Sequence, residues 1–319
     1  MVVDRSRIDA QSVEPLDALL AAIPGGFNSI VDIVDRRATL SALLRAALDA
    51  AEPNPRIAIS DVHFDGPGGE VAARVYRPVD ATGPLPGLIY IHGGGMVMGD
   101  LDAEHLTPIM FSDELGIVVV SLDYRKAPEY PYPAGPEDCY AGTQWVFEHA
   151  GELGMDPTNI GIYGGSAGGG LVMAVALMSR DRGGPRLAYM MPIYPMLDDR
   201  NCTASALEIT DVGMWDLGAS MEAWAWYLDG QEADSYAAPA RADDLSGLPP
   251  AYMDVGELDM FRDEDVDMAL RLNRAGVPCE LHVYPGAYHA SEFFAPAAAL
   301  SKRIIANRID ALRRFIARA

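Results

Sequence analysis

Cysteine is scarce: Cys139, Cys202 and Cys279 are the only three in 319 residues, odd in number and far apart. A disulfide framework needs pairs and a thiolate zinc site needs close pairs, so neither is expected. Lysine is scarcer still, with Lys126 and Lys302 the only two among 24 basic residues. These face 46 acidic ones, for a formal charge of −22. Such a surface repels phosphate backbones and anionic lipid, so nucleic acid and membrane are not expected partners. The longest apolar stretches, such as Leu171 to Met178, fall far short of the roughly 20 residues a membrane span requires. Charges at Asp4, Arg5 and Arg7 stand where a secretory signal would be apolar, and a cytoplasmic location is the expectation. Neither G-x-x-x-x-G-K-[ST] nor G-x-G-x-x-G occurs, and no H-E-x-x-H does. Nucleotide and zinc-protease chemistry therefore lack their residues, and no metal or organic cofactor is implied. Repeats and low-complexity tracts are missing too, which favours one domain over 1–319.

What is present is an alternation. Short β-rich runs bounded by turn residues fall at 57–64, 71–77, 87–92, 117–123, 160–163, 189–194, 251–255 and 280–284. The first two flank Asp65-Gly-Pro-Gly-Gly69, which reads as a hairpin loop. Later runs are separated by helical patterns at 104–115, 135–150, 167–181 and 263–275. Apolar strands alternating with helices predict an α/β protein with a mostly parallel sheet covered on both faces. Two stretches stand outside this pattern. One is 1–50, with Leu40, Leu43, Leu44 and Leu48 on one helical face. The other is 200–235, rich in Met214, Trp215, Met221, Trp224 and Trp226. They read either as ordinary packing helices or as a helical cap over a pocket at the sheet's C-terminal edge.

Two glycine-rich segments carry chemistry. Gly164-Gly-Ser166-Ala-Gly168 has the G-x-S-x-G form, after an apolar strand and before the apolar helix Leu171–Met178. A serine on a sharp strand-to-helix turn needs neighbours without bulk two residues away on either side. Its helix would aim N–H groups at any negative charge formed there. The second segment, His92-Gly-Gly-Gly95, also follows a strand. Glycines there let backbone approach a substrate, and the Gly93 and Gly94 N–H groups with that of Ala167 would form an oxyanion hole.

Together with Ser121-Leu-Asp-Tyr-Arg-Lys-Ala-Pro-Glu129, Tyr130-Pro-Tyr-Pro-Ala134, Gly256-Glu-Leu-Asp259 and Tyr284-Pro-Gly-Ala-Tyr-His289, these segments resemble successive motifs of the hormone-sensitive-lipase-like family of α/β-hydrolases, which includes bacterial carboxylesterases. The resemblance runs from about residue 57 to the C-terminus. It implies the α/β-hydrolase fold: an eight-stranded, mostly parallel sheet flanked by helices, with a cap from about 1–50 and about 200–235. The family order of serine, acid and histidine assigns Ser166 as nucleophile, Asp259 as acid and His289 as base. Asp254, Glu257 and Asp263 are neighbouring acids that could contest the middle role.

The implied reaction is hydrolysis of short- to medium-chain carboxylic esters through an acyl-enzyme, with rate lost where the imidazole is protonated. Tyr194, Trp215, Met221 and Trp224 are the candidate pocket residues. Amide, thioester or lactone hydrolysis by the same triad, or a non-catalytic small-molecule receptor on the same fold, are the alternatives. The partner is then a small-molecule ester, and the edge strand at 280–284 offers a route to a homodimer. Some positions depart from the family pattern. Gly165 stands where an acidic residue is usual before the nucleophile. Glu104-His105 replaces His-Asp beyond the glycine motif, and Met260-Phe261 replaces Pro-Leu after Asp259.

Overall fold

The computed structural model describes residues 4–210, 212 and 215–318. Met214, named above among the large apolar residues, therefore lies outside the described residues. Eight strands form one sheet: β1 (Ile57–Gly66), β2 (Gly69–Pro78), β3 (Leu85–Ile91), β4 (Val118–Asp123), β5 (Met155–Gly165), β6 (Met190–Ile193), β7 (Ala251–Leu258) and β8 (Cys279–Tyr288). Their order is β1-β2-β4-β3-β5-β6-β7-β8. Only β2 runs antiparallel to its neighbours, and every other pairing is parallel. The expected hairpin is there, with Gly66 opposite Gly69.

The helices are α1 (Ala10–Ala22), α2 (Ile33–Ala50), α3 (Leu106–Leu115), α4 (Ala134–Glu148), α5 (Ala150–Leu153), α6 (Ala167–Asp181), α7 (Ala204–Glu208), α8 (Leu217–Leu228), α9 (Arg262–Arg274), α10 (Ser291–Phe294) and α11 (Ala299–Ile316). The pattern read at 135–150 breaks at His149, whose ring pairs with the Trp145 carbonyl at 2.9 Å while its backbone leaves helical geometry. The pattern read from 104 starts as helix only at Leu106. Asp100 explains the delay, because its carboxylate accepts the N–H groups of Asp102 (3.0 Å) and Ala103 (2.8 Å) and holds that stretch as a turn.

Alternation along the central strands sorts their side chains into two cores. Ile89, Ile91, Ile160 and Ile162 face α4, α6 and α9 through Cys139, Val172 and Leu272. Leu88, Tyr90, Tyr163 and Tyr252 face the other way, against Phe111 of α3 and Leu312 of α11. Strands buried on both faces cannot show the polar alternation of a half-exposed sheet, which is why they read as apolar runs. Between β3 and β5 the strand order reverses, since β4 lies on the far side of β3. A switch point of this kind places a ligand crevice beyond the C-terminal ends of β3 and β5.

The two leftover segments reach this crevice. Asp32 caps α2 by accepting from Val34 and Asp35, and Asp216 caps α8 by accepting from Ala219. Arg36 of α2 pairs with Glu222 of α8 at 2.6 Å, and Asn28 donates to Asp216 at 3.4 Å. Arg37 donates from Nε to the Val97 carbonyl and from a terminal nitrogen to the Ala127 carbonyl, both at 2.7 Å. The same guanidinium pairs with Glu129 at 2.7 Å. So α2 is fastened to the loops beyond β3 and β4 and to α8. Among the described residues no helix is long and apolar enough to cross a membrane.

Candidate active site

Ser166 lies between the last residue of β5 and the first of α6, at φ 58° and ψ −123°. A β-carbon on Gly168 would sit 2.2 Å from the Ile91 carbonyl oxygen, and one on Gly164 would sit 2.5 Å from the Gly168 carbonyl oxygen. Only glycine fits either side of a turn this tight. The turn is held by the Ser166 N–H donating to Ile193 (2.9 Å) and by the Ser166 carbonyl accepting from Met196 (3.0 Å).

His289 follows β8 and places Nε2 3.0 Å from Ser166 Oγ. Its Nδ1 lies 2.7 Å from Asp259 Oδ2, and Asp259 Oδ1 accepts the Phe261 N–H at 3.0 Å. With Nδ1 protonated, the imidazole donates to the carboxylate and accepts from the hydroxyl. Ser166, His289 and Asp259 are all buried. The ring is walled edge-on by Tyr194, with centroids 5.0 Å apart, and by Phe261 at 5.3 Å. Such a chain can take the serine proton onto imidazole and hold the resulting charge against the carboxylate. The rival acids are engaged elsewhere. Arg308 grips Asp254 with two hydrogen bonds of 2.8 Å, Glu257 pairs with Arg7 at 2.7 Å, and Asp263 accepts the Ser205 N–H at 2.8 Å.

The glycine loop requires a correction. The Gly93 N–H donates to Glu104 Oε1 at 2.7 Å, so this donor is already engaged rather than free for an oxyanion. Among the described residues, no acceptor meets the N–H of Gly94, Gly95 or Ala167. Gly94 takes φ +114°, and a β-carbon there would meet the Met98 carbonyl oxygen at 2.3 Å. His92 serves as a strut, with Nδ1 2.7 Å from the Gly93 carbonyl and its ring stacked on Tyr124 at 4.4 Å. Its other nitrogen stands 3.6 Å from Asp123.

A cavity of about 110 Å³ opens over Ser166, lined by Phe27, Leu40 and Leu44 from the N-terminal segment and by Trp215, Phe293 and Phe294 from later in the chain. A larger open groove of about 940 Å³ lies at the other end of the sheet, around Arg186 and Leu248, and contains none of these groups. Of the candidate pocket residues, Tyr194 and Trp215 line the cavity. Met221 and Trp224 do not. Buried α8 residues fall at Ala219, Ser220, Ala223, Trp224 and Tyr227, so Met221 points outward at 58% exposure. Trp224 turns into the core and packs edge-on against Tyr227 at 5.7 Å.

A model of the α/β-hydrolase fold matches residues 88–293, which span the glycine loop, the elbow, Asp259 and His289. Esterase LipI of Mycobacterium tuberculosis is 36% identical over 266 residues, covering 80% of this chain and 83% of that protein. The chain belongs to the α/β-hydrolase family. Carboxylesterase NlhH, also of Mycobacterium tuberculosis, is 37% identical over 272 residues, covering 83% of this chain and 84% of the relative. A solved bacterial heroin esterase superposes with a TM-score of 0.91 at 36% identity, covering 98% of this chain and 99% of the other. A hyperthermophilic esterase from the archaeon Pyrobaculum calidifontis gives 0.87 at 31% identity, covering 96% and 98%. Within the family the chain falls on the hormone-sensitive-lipase-like, bacterial carboxylesterase branch, and it is a serine hydrolase of carboxylic esters.

Two features of this hydrolase's site escape the motifs. Beneath Tyr194, its hydroxyl donates to Glu292 Oε1 at 2.6 Å, and the same oxygen accepts from Arg308 at 2.6 Å. Burial works against ionised Glu292, but the Arg308 charge and the Tyr194 hydroxyl prevail and hold its carboxyl below the usual range. The second is Glu104, whose other oxygen accepts from the Tyr90 hydroxyl. Here burial prevails over the Tyr90 and Gly93 donors and lifts the carboxyl above the usual range. Its only signal in the sequence was the replacement of His-Asp by Glu104-His105.

Proposed function

We propose that the chain hydrolyses short-chain carboxylic esters through an acyl-enzyme, with Ser166 as nucleophile, His289 as general base and then acid, and Asp259 as the group that orients the imidazole. The observation that carries this reading is the unbroken chain of 2.7 Å and 3.0 Å contacts from Asp259 through His289 to Ser166, ending at the elbow. As Ser166 attacks, the carbonyl oxygen becomes an anion. The N–H groups of Gly94 and Gly95 in the glycine loop, and of Ala167 at the N-terminus of α6, are the donors that would receive it. Protonated His289 then delivers its proton to the departing alcohol, and water completes the cycle by the same relay.

The segments around α1–α2 and α7–α8 act as a cap over the crevice, a role supported by Phe27, Leu40, Leu44 and Trp215 on the cavity wall. At about 110 Å³ the space over Ser166 is small beside the roughly 300–1,000 Å³ of common ligand pockets. That favours short acyl chains. The three cysteines are free, in keeping with a reducing cytoplasm.

p-Nitrophenyl acetate, butyrate, octanoate and palmitate, tested with wild type, Ser166→Ala and His289→Ala, decide the matter. Turnover should be highest on acetate or butyrate and fall by at least about 10³-fold in each variant. Turnover that survives Ser166→Ala would overturn the assignment.

A further inference from the structure

We propose that Glu104 is a specificity-determining residue of this site, and that it selects esters bearing a cationic group over anionic ones. The inference rests on the esterase reading above and concerns which esters the site accepts. Among the described residues on the cavity wall, Glu104 is the only acidic or basic side chain apart from His289. Arginine and lysine are missing from that wall. A point beside Gly93 lies 3.3 Å from Glu104 Oε1 and 3.4 Å from the Ser166 β-carbon, which brings the carboxylate within about one side-chain length of the nucleophile.

Both partners of Glu104 are donors, the Gly93 N–H and the Tyr90 hydroxyl. An ionised, acceptor-only carboxylate satisfies both and keeps lone pairs for a third donor. Phe27, Trp215, Phe293 and Phe294 line the same cavity. A carboxylate combined with aromatic faces is the chemistry that holds an ammonium group, through charge on one side and ring quadrupoles on the other. The same carboxylate repels an anionic substrate. Through Gly93 it also fixes the start of the loop that carries the Gly94 N–H, so it is a positioning residue as well.

The test uses three acetate esters of similar size: the trimethylammonioethyl ester, its uncharged 3,3-dimethylbutyl isostere, and the anionic 2-sulfoethyl ester. Wild type, Glu104→Gln and Glu104→Ala are compared at pH 8. In wild type, kcat/KM should fall from cation to neutral ester to anion by about tenfold at each step. Glu104→Gln should compress the cation-to-anion ratio to within about threefold. On the neutral ester it should recover most of the kcat that Glu104→Ala loses, because its amide oxygen can still accept from Gly93. Equilibrium binding of the same esters to Ser166→Ala, with and without Glu104→Gln, reads the preference without turnover. A failed catalytic assignment is thereby distinguished from a failed charge preference. A ratio that persists in Glu104→Gln and fades with added salt would assign the preference to the overall charge of −22 and overturn the role of Glu104. Equal binding of the three esters by the Ser166→Ala protein would overturn it too.

Discussion

Ser166 sits at a positive φ that few side chains adopt, a conformation costing roughly 1–3 kcal/mol. Backbone contacts to Ile193 and Met196 hold it there, and two glycines make room. The neighbouring glycines are not equivalent. A methyl group on Gly168 would enter the backbone of β3, 2.2 Å from the Ile91 oxygen, whereas one on Gly165 would meet only the Tyr194 ring at 3.2 Å. Gly168→Ala should therefore destabilise by roughly 3 kcal/mol or more and abolish turnover. Gly165→Ala should fold, lose no more than about 1–2 kcal/mol, and keep measurable activity. Thermal melts beside the butyrate assay check both, and an active, stable Gly168→Ala would refute the steric account. At this scale the sequence was most legible where geometry forces residue identity, as at Gly164, Ser166 and Gly168. Asp259 and His289 were legible through family order. Glu104 was hidden because its contact with Gly93 depends on the Asp100 turn, which no short motif encodes.

At the scale of elements, α9 carries an anomaly. Its first turn buries Glu264 and Asp265, and neither oxygen of Asp265 has a partner among the described residues. Burial first, and then the nearby Glu264 and Asp259 charges, push the Asp265 carboxyl well above its ordinary 3.8. The fold thus favours the neutral acid. The stability it gains from that form is complete below pH 3.8 and drains away as pH rises from there. Asn cannot ionise, so Asp265→Asn should raise the melting temperature by roughly 2–5 °C at pH 8. The gain should vanish near pH 4. A gain of the same size at both pH values would show that ionisation is not the cause. All eight strands were legible, because apolar runs of this length between turn residues have few other homes. Facing was not legible on α8. Composition marked Met221 and Trp224 as pocket residues, but a helix shows each residue to one side only, and neither of these faces the cavity.

Over the whole molecule, the sheet ends in β1 on one side and β8 on the other. Polar side chains such as Asp61, His63 and Asp65 line β1, a common guard against edge pairing. The β8 edge, with Val283 exposed at 40%, has less protection. Light scattering should therefore give twice the mass of one chain, and Val283→Lys should return it to one. A monomeric wild type would dispose of the dimer. Globally, the α/β-hydrolase architecture could be read from alternation and motif order. The contacts that join the first fifty residues to the site could not, because they are single ion pairs and carbonyl contacts across long stretches of chain.

Arg37 gives those contacts a consequence in time. It grips carbonyls 60 and 90 positions further along the chain, at Val97 and Ala127. On a ribosome α2 emerges ahead of the sheet, but its landing place does not exist until β3 and β4 have been made and paired. Through that interval its leucines are uncovered, so the nascent chain is most exposed to aggregation before the sheet closes. The wall of the substrate cavity thus joins some of the earliest residues to be synthesised to some of the latest.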